Sequence, residues 1–141
     1  KINPIFIWGE NTIANGDSGL LKQVFINLIR NAIQAMPEGG DLKITTQKSS
    51  KLEQSSEKPD YSRQFITVTV ADQGEGISEK NLANVFNPFF TTKDHGTGLG
   101  LSISHNIIKA HQGTIDVEND MGKGARFIIK IPCWDNELDK K

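Results

Sequence analysis

Phe86-Asn-Pro-Phe89-Phe90-Thr-Thr-Lys93-Asp-His95-Gly96-Thr97-Gly98-Leu99-Gly100-Leu101 is the stretch on which the fold turns. Its alternate glycines lead into an apolar run that reads as a helix from about Leu99 to His111, closed by Gln112-Gly113. Glycines at a helix opening leave the first N–H groups bare, and the helix dipole adds positive potential there, so an anion is favoured. A dinucleotide-binding fold uses a similar glycine pattern, but directly after a buried parallel strand and with an acid about 20 residues on. Here the glycines follow aromatic, Pro, Thr and Lys residues that make no strand. The dinucleotide fold fails on context and a phosphate cradle remains. In that setting Lys93 supplies a point charge near phosphates, and the phenylalanines are expected to bury the loop. Gly113 suits the left-handed position after the helix. The dipole at the same end favours a charged His111.

Two further segments carry polar chemistry. Asp72-Gln-Gly74-Glu-Gly76 follows a strand directly. Its glycines allow a flat ring to approach the backbone, and its acid can accept a hydrogen bond from an exocyclic amine. Alone the pattern is weak, because Asp and Gly also make ordinary turns. Upstream, Asp17 or Ser18 caps a helix from about Gly19 to Met36, stopped by Pro37 and Gly39-Gly40. Leu21, Val24, Phe25, Leu28, Ala32 and Ala35 form its buried face. Gln23, Asn27, Asn31 and Gln34 form a polar stripe on another face. That stripe is either a solvated face or a row of amides that coordinates a hard cation and donates to phosphate. Asn inside a helix costs stability unless it bonds to something, which favours the second reading.

The remaining chain sets the fold class. Residues 3–8 read as a short strand, and 41–48 and 64–71 as two more, with Ile66, Val68 and Val70 facing one way and Thr67 and Thr69 the other. Residues 49–63 are Ser-, Lys- and Glu-rich and read as an exposed loop insertion. Strands near 114–119 and 125–132 close a domain spanning residues 1–133, and 134–141 form a charged tail. Helices beside hairpins give an α+β class: a two-layer α/β sandwich, helices on one face of a mixed, mostly antiparallel sheet. The chain has 141 residues, 36% of them hydrophobic and 23% charged, which fits one globular domain. Its net charge of −1 gives no reason to expect nucleic acid as a partner. No apolar run reaches the roughly 20 residues that span a bilayer. Cys133 is the single cysteine, so a reducing, cytoplasmic compartment is expected, with any anchoring or targeting of the parent lying outside this segment.

Taken in order, these motifs resemble the histidine-kinase branch of the superfamily that includes gyrase, heat-shock chaperone ATPases and mismatch-repair ATPases. Gln23 to Ala32 is similar to the family's asparagine box, Asp72 to Gly76 to its first glycine box, and Phe86 to Lys93 to its phenylalanine box. Gly96 to Leu101 resembles the second glycine box, and Gly122-Lys-Gly124-Ala-Arg-Phe127 the last. Within the branch, the Asn31 to Gly40 stretch looks most like nitrogen-regulatory and sporulation-type kinases. The resemblance implies a Bergerat-type ATP-binding fold and catalysis by a two-component sensor histidine kinase.

It also implies roles. Asn31 would hold Mg²⁺ that bridges the ATP phosphates. Asp72 would read the adenine amine, with Gly74, Gly76 and Ile77 around the ring. Gly96, Thr97, Gly98, Leu99, Gly100 and Leu101 would cradle phosphates, and Asn27, Gln34 and Lys93 would lie near the phosphate chain. Residues 86–98, Phe89 among them, would form a lid over ATP. ATPase branches carry a Glu where this chain has Asn27. An amide cannot act as that base, so phosphoryl transfer is favoured over hydrolysis. Ala125 stands where a Thr is common, which removes one hydroxyl. None of His95, His105 and His111 fits the family's acceptor motif. The implied partners are therefore an upstream dimerisation domain with the acceptor histidine and a response regulator. This domain would be monomeric in isolation within a homodimeric parent. A serine kinase of the anti-sigma-factor type and a non-catalytic ATP sensor are the alternatives.

Overall fold

Apolar residues at every second position make strands, and apolar residues three and four apart make helices. The computed structural model describes residues 1–10, 12–50, 64–92, 96–120 and 123–133, with Ser49, Ser50 and Asp120 described by their backbone alone. In chain order the elements are β1 (Ile2–Ile7), α1 (Ser18–Gln34), β2 (Gly40–Ser50), β3 (Gln64–Ala71), α2 (Glu79–Leu82), α3 (Gly100–Ala110), β4 (Thr114–Asp120) and β5 (Gly124–Pro132).

The strands form one sheet in the order β1-β2-β3-β5-β4. β1 runs parallel to β2, and the other neighbours are antiparallel. The parallel pair follows from α1, which supplies the crossover that a parallel connection needs. Leu42, Ile44, Ile66, Val68 and Val70 turn to the inner face and are buried with Val24, Leu28 and Ala32 of α1 and Ile107 and Ile108 of α3. Thr67 and Thr69 are half-buried on the other face. The α+β two-layer class expected from the sequence is the observed one.

Asp17 caps α1: its backbone is extended, its carboxylate Oδ1 accepts the Leu20 N–H at 2.9 Å, and its carbonyl accepts the Leu21 N–H at 3.0 Å. β2 runs two residues further than expected, because Ser49 and Ser50 pair with Phe65 and Gln64. The rest of the expected loop insertion, and the 134–141 tail, lie outside the described residues. The short α2 was not anticipated; with four residues it carries too little periodicity to be read.

The end of α3 departs from expectation twice. Gln112, not Gly113, takes the left-handed position, with φ 60°. Gly113 is required for a different reason: a Cβ there would lie 2.3 Å from the Lys130 carbonyl oxygen. His111 does not sit as a free cation at the dipole. Its Nε2 lies 3.0 Å from the Asp17 N–H, which can only donate, so Nε2 must accept. Nδ1 then donates to the Ile107 carbonyl at 2.7 Å. A neutral ring satisfies both bonds, and a charged one has no lone pair for Asp17. The residue thereby joins the end of α3 to the cap of α1.

Two glycine exchanges separate these causes. Gln112→Gly should stabilise the domain by about 1 kcal/mol in urea unfolding, since a side chain in the left-handed region is strained. Gly113→Ala should lower stability despite leaving helix contacts in place. Equal effects of the two would contradict the assignment.

Candidate functional site

The carboxyl-terminal half of α1 is the meeting line for segments far apart in sequence. Asn27, half-buried, donates from Nδ2 to the Gly100 carbonyl and to Ser104 Oγ, each at 3.4 Å. Ser104 is fully buried in α3. The amide therefore spans the seam between the helices and sits beside the glycine stretch that opens α3. Asn31, one turn on, is half-buried, whereas Gln23 and Gln34 at the ends of the stripe are exposed. A stripe whose middle amides are drawn inward is not a plain solvated face.

At one end of this line lies Asp72, 8% exposed. Its Oδ1 accepts the Gly74 N–H at 2.8 Å and the Ala125 N–H at 3.2 Å. Both bonds fall on one oxygen and Oδ2 takes part in neither, so the carboxylate keeps an acceptor for a third donor. The turn after it is tightly seated. A Cβ on Gly74 would lie 2.5 Å from the Ala35 carbonyl oxygen, at the end of α1. Gly76 has φ 81°. A Cβ on Gly124 would lie 1.9 Å from the Asp72 carbonyl oxygen, so only glycine allows the β4–β5 turn to approach.

At the other end α3 opens without a side-chain cap, and its first turn holds no acid. The first helical bond runs from Ile103 N–H to the Leu99 carbonyl, which leaves the Gly100, Leu101 and Ser102 N–H groups ahead of it. The Leu99 N–H is taken by Thr97 Oγ1 at 3.3 Å. Gly96 and Thr97 are exposed. A Cβ on Gly100 would meet nothing nearer than Asn27 Cγ at 3.8 Å, so this glycine leaves room that the fold itself does not need.

The aromatic segment before α3 divides. Phe86 packs edge-on to Phe127 and against His105, with ring centroids 6.4 and 5.5 Å away. Phe89 does not bury the loop: it is 74% exposed and left-handed, with φ 67°. Its N–H donates to the Gly98 carbonyl at 2.8 Å, and a Cβ on Gly98 would lie 2.3 Å from the Phe89 carbonyl carbon. That close approach, at φ 71°, is why position 98 is glycine. Lys93 lies outside the described residues. A separate hollow of about 370 Å³ on the outer face of the sheet, lined by Ile5, Lys43 and Gln73, shares only Asp72 with this line.

The site thus has a buried acceptor facing a glycine turn, a row of amides, and an open helix N-terminus, which together suit an adenine nucleotide. Residues 16–135 match the family described as histidine kinase-, DNA gyrase B-, and HSP90-like ATPase. The chain belongs to this family. Sporulation kinase A of Bacillus subtilis (strain 168) is 48% identical over 138 residues, which is 94% of this chain and 20% of that protein. The chain therefore spans about a fifth of the length of that curated relative. The catalytic domain of histidine kinase ThkA superposes with a TM-score of 0.67 at 38% identity, over 92% of this chain and 80% of that one. Full-length ShkA in complex with AMPPNP gives 0.66 at 26% identity, over 92% of this chain and 25% of that one. As a histidine kinase-like ATPase, this chain is an ATP-binding catalytic domain homologous to those of sensor histidine kinases, with sporulation kinases among its similar relatives.

Sequence reasoning missed two residues that hold the candidate site's residues in place. Ser104 carried no motif. Asn119 accepts the Ile77 N–H on Oδ1 at 2.6 Å. Its signal was an Asn in a strand, where that residue is disfavoured. Gly124→Ala should cost about 1–3 kcal/mol in thermal unfolding, from its left-handed backbone and its clash with Asp72. A wild-type melting temperature would show that the turn does not press on Asp72 as described.

Proposed function

We propose that this domain binds Mg-ATP along the Asp72–Asn31–Gly100 line and delivers its γ-phosphoryl group to a histidine on another segment of the parent kinase. The observation that carries this reading is the α3 N-terminus: uncapped, free of acids and adjoined by the Asn27 amide. A nucleotide's phosphates supply the anion such an end favours. Asp72 Oδ2 would accept the adenine amine, and Gly76 and Ile77 would lie along the ring. Gly98, Leu99, Gly100 and Leu101 would donate backbone N–H groups to the phosphates. The Leu99 donor exchanges Thr97 Oγ1 for phosphate oxygen when it does so. Phe89 and Gly98 would be the pinned ends of a lid over the nucleotide, in the 86–98 segment.

Magnesium fits the donor set. Among the described residues no group of three His, Cys, Asp or Glu could hold a metal. A magnesium ion here would take Asn31 Oδ1 with phosphate and water oxygens, the mixed shell this ion prefers. When bound it would neutralise phosphate charge.

The chain's own contribution is positioning. An acceptor imidazole nitrogen attacks the γ-phosphorus, the bond to the β-γ bridging oxygen breaks, and ADP leaves. Asn27 provides no base for water, which disfavours hydrolysis. Of the described histidines, His105 packs its ring against Phe86 and His111 holds Asp17, and neither stands in the family's acceptor motif. The acceptor on this reading belongs to a dimerisation domain elsewhere in the parent. A response regulator then takes the phosphoryl group, in the cytoplasm where ATP is available.

The test uses γ-labelled ATP, magnesium and a separately expressed acceptor segment of the parent. Acid-labile, base-stable label should appear on that segment and fall at least a hundredfold with Asn31→Ala, as for loss of an electrostatic contact in phosphoryl transfer. Rapid phosphate release by this domain alone, with no labelled segment, would contradict the proposal.

A further inference from the structure

Ile77 follows Gly76 directly, and its N–H donates to Asn119 Oδ1 across 42 residues of sequence. Asn119 sits in β4 opposite Ala125 of β5. Ala125 in turn donates its N–H to Asp72 Oδ1. One ladder pair therefore holds both ends of the Asp72–Ile77 turn: Ala125 at the acid and Asn119 at Ile77. Between them Gly74 rests on Ala35, and Gly76 has φ 81° with no side chain to fix it. Without the Asn119 acceptor, the half-buried Ile77 N–H loses its partner and the Gly76 end of the turn is held from one side only.

We propose that Asn119 is a positioning residue for adenine recognition: it fixes the Gly76–Ile77 backbone at a set spacing from Asp72, and so defines the slot that a purine enters. It touches no nucleotide and acts through Ile77. The inference rests on the reading of Asp72 and Gly76 as adenine contacts. It assigns specificity to a strand residue that no glycine box contains. The acceptor is the needed chemistry, so aspartate can replace asparagine and leucine, its apolar near-isostere, cannot.

Calorimetric titration of ATP, ADP and GTP into the 141-residue chain tests this. Asn119→Ala should weaken ATP and ADP by the same factor, roughly fivefold to tenfold for one half-buried hydrogen bond. The preference for ATP over GTP should shrink, while the dependence of ATP binding on magnesium stays. Asn119→Asp should restore affinity to within about threefold. If Asn119→Ala fails to fold, Asn119→Leu carries the same expectation. Unchanged affinities, a loss confined to ATP, or an Asn119→Asp variant as weak as Asn119→Ala would each overturn the inference. Asp72→Asn runs alongside. If it leaves the ATP-over-GTP preference intact, the adenine reading itself fails. If it removes that preference while Asn119→Ala changes nothing, only the role of Asn119 fails.

Discussion

A single carboxylate oxygen organises one end of this molecule. Asp72 Oδ1 accepts two backbone N–H groups, from Gly74 two residues on and from Ala125 in β5. A carboxylate this far from water is tolerable only when hydrogen-bonded, so the two donors are a condition of its burial. They also fix what surrounds it. The β4–β5 turn must come close enough for Ala125 to donate, and Gly124 is the residue that lets it do so. The turn after Asp72 must curl back on itself, which places Gly74 against the end of α1.

The other end depends on the seam between α1 and α3. Asn27 reaches from one helix to the carbonyl that opens the other, and His111 reaches back from α3 to the cap of α1. The two contacts join the two ends of α3 to the middle and the cap of α1, so the open N–H groups of α3 keep their bearing relative to Asn31. The sheet below and the braced helix pair above hold Asp72, the amides of α1 and the opening of α3 in one frame. Electrostatic stabilisation of a phosphoryl group works through such fixed donors, because they need no reorganisation as charge develops.

Much of this was legible beforehand because it is local. The alternation in β3, the cap at Asp17, the stripe of amides and the glycines before α3 each announce a short-range geometric need. The two-layer class followed from their order. What escaped depends on contacts between distant segments. Gln112 takes the left-handed position, and Gly113 is needed instead for its approach to Lys130, a constraint set by β5. His111 is read as a cation from its helix alone, and only the approach of Asp17 makes it an acceptor. Phe89 looks like a core residue by type, yet its backbone turns it outward. Asn119 joins the site through one bond to a residue 42 positions away.

The most direct measurement is a backbone-amide NMR titration of the isotope-labelled domain with Mg-AMPPNP. A nucleotide lying from Asp72 to the opening of α3 should shift the amides of Gly76, Ile77 and Gly98 to Leu101 together, with one affinity. Ile5 and Lys43, in the hollow on the outer face of the sheet, should stay still. Shifts centred on that hollow, with Gly76 and Gly100 unmoved, would place the nucleotide on the wrong side of the sheet and contradict the two-ended site.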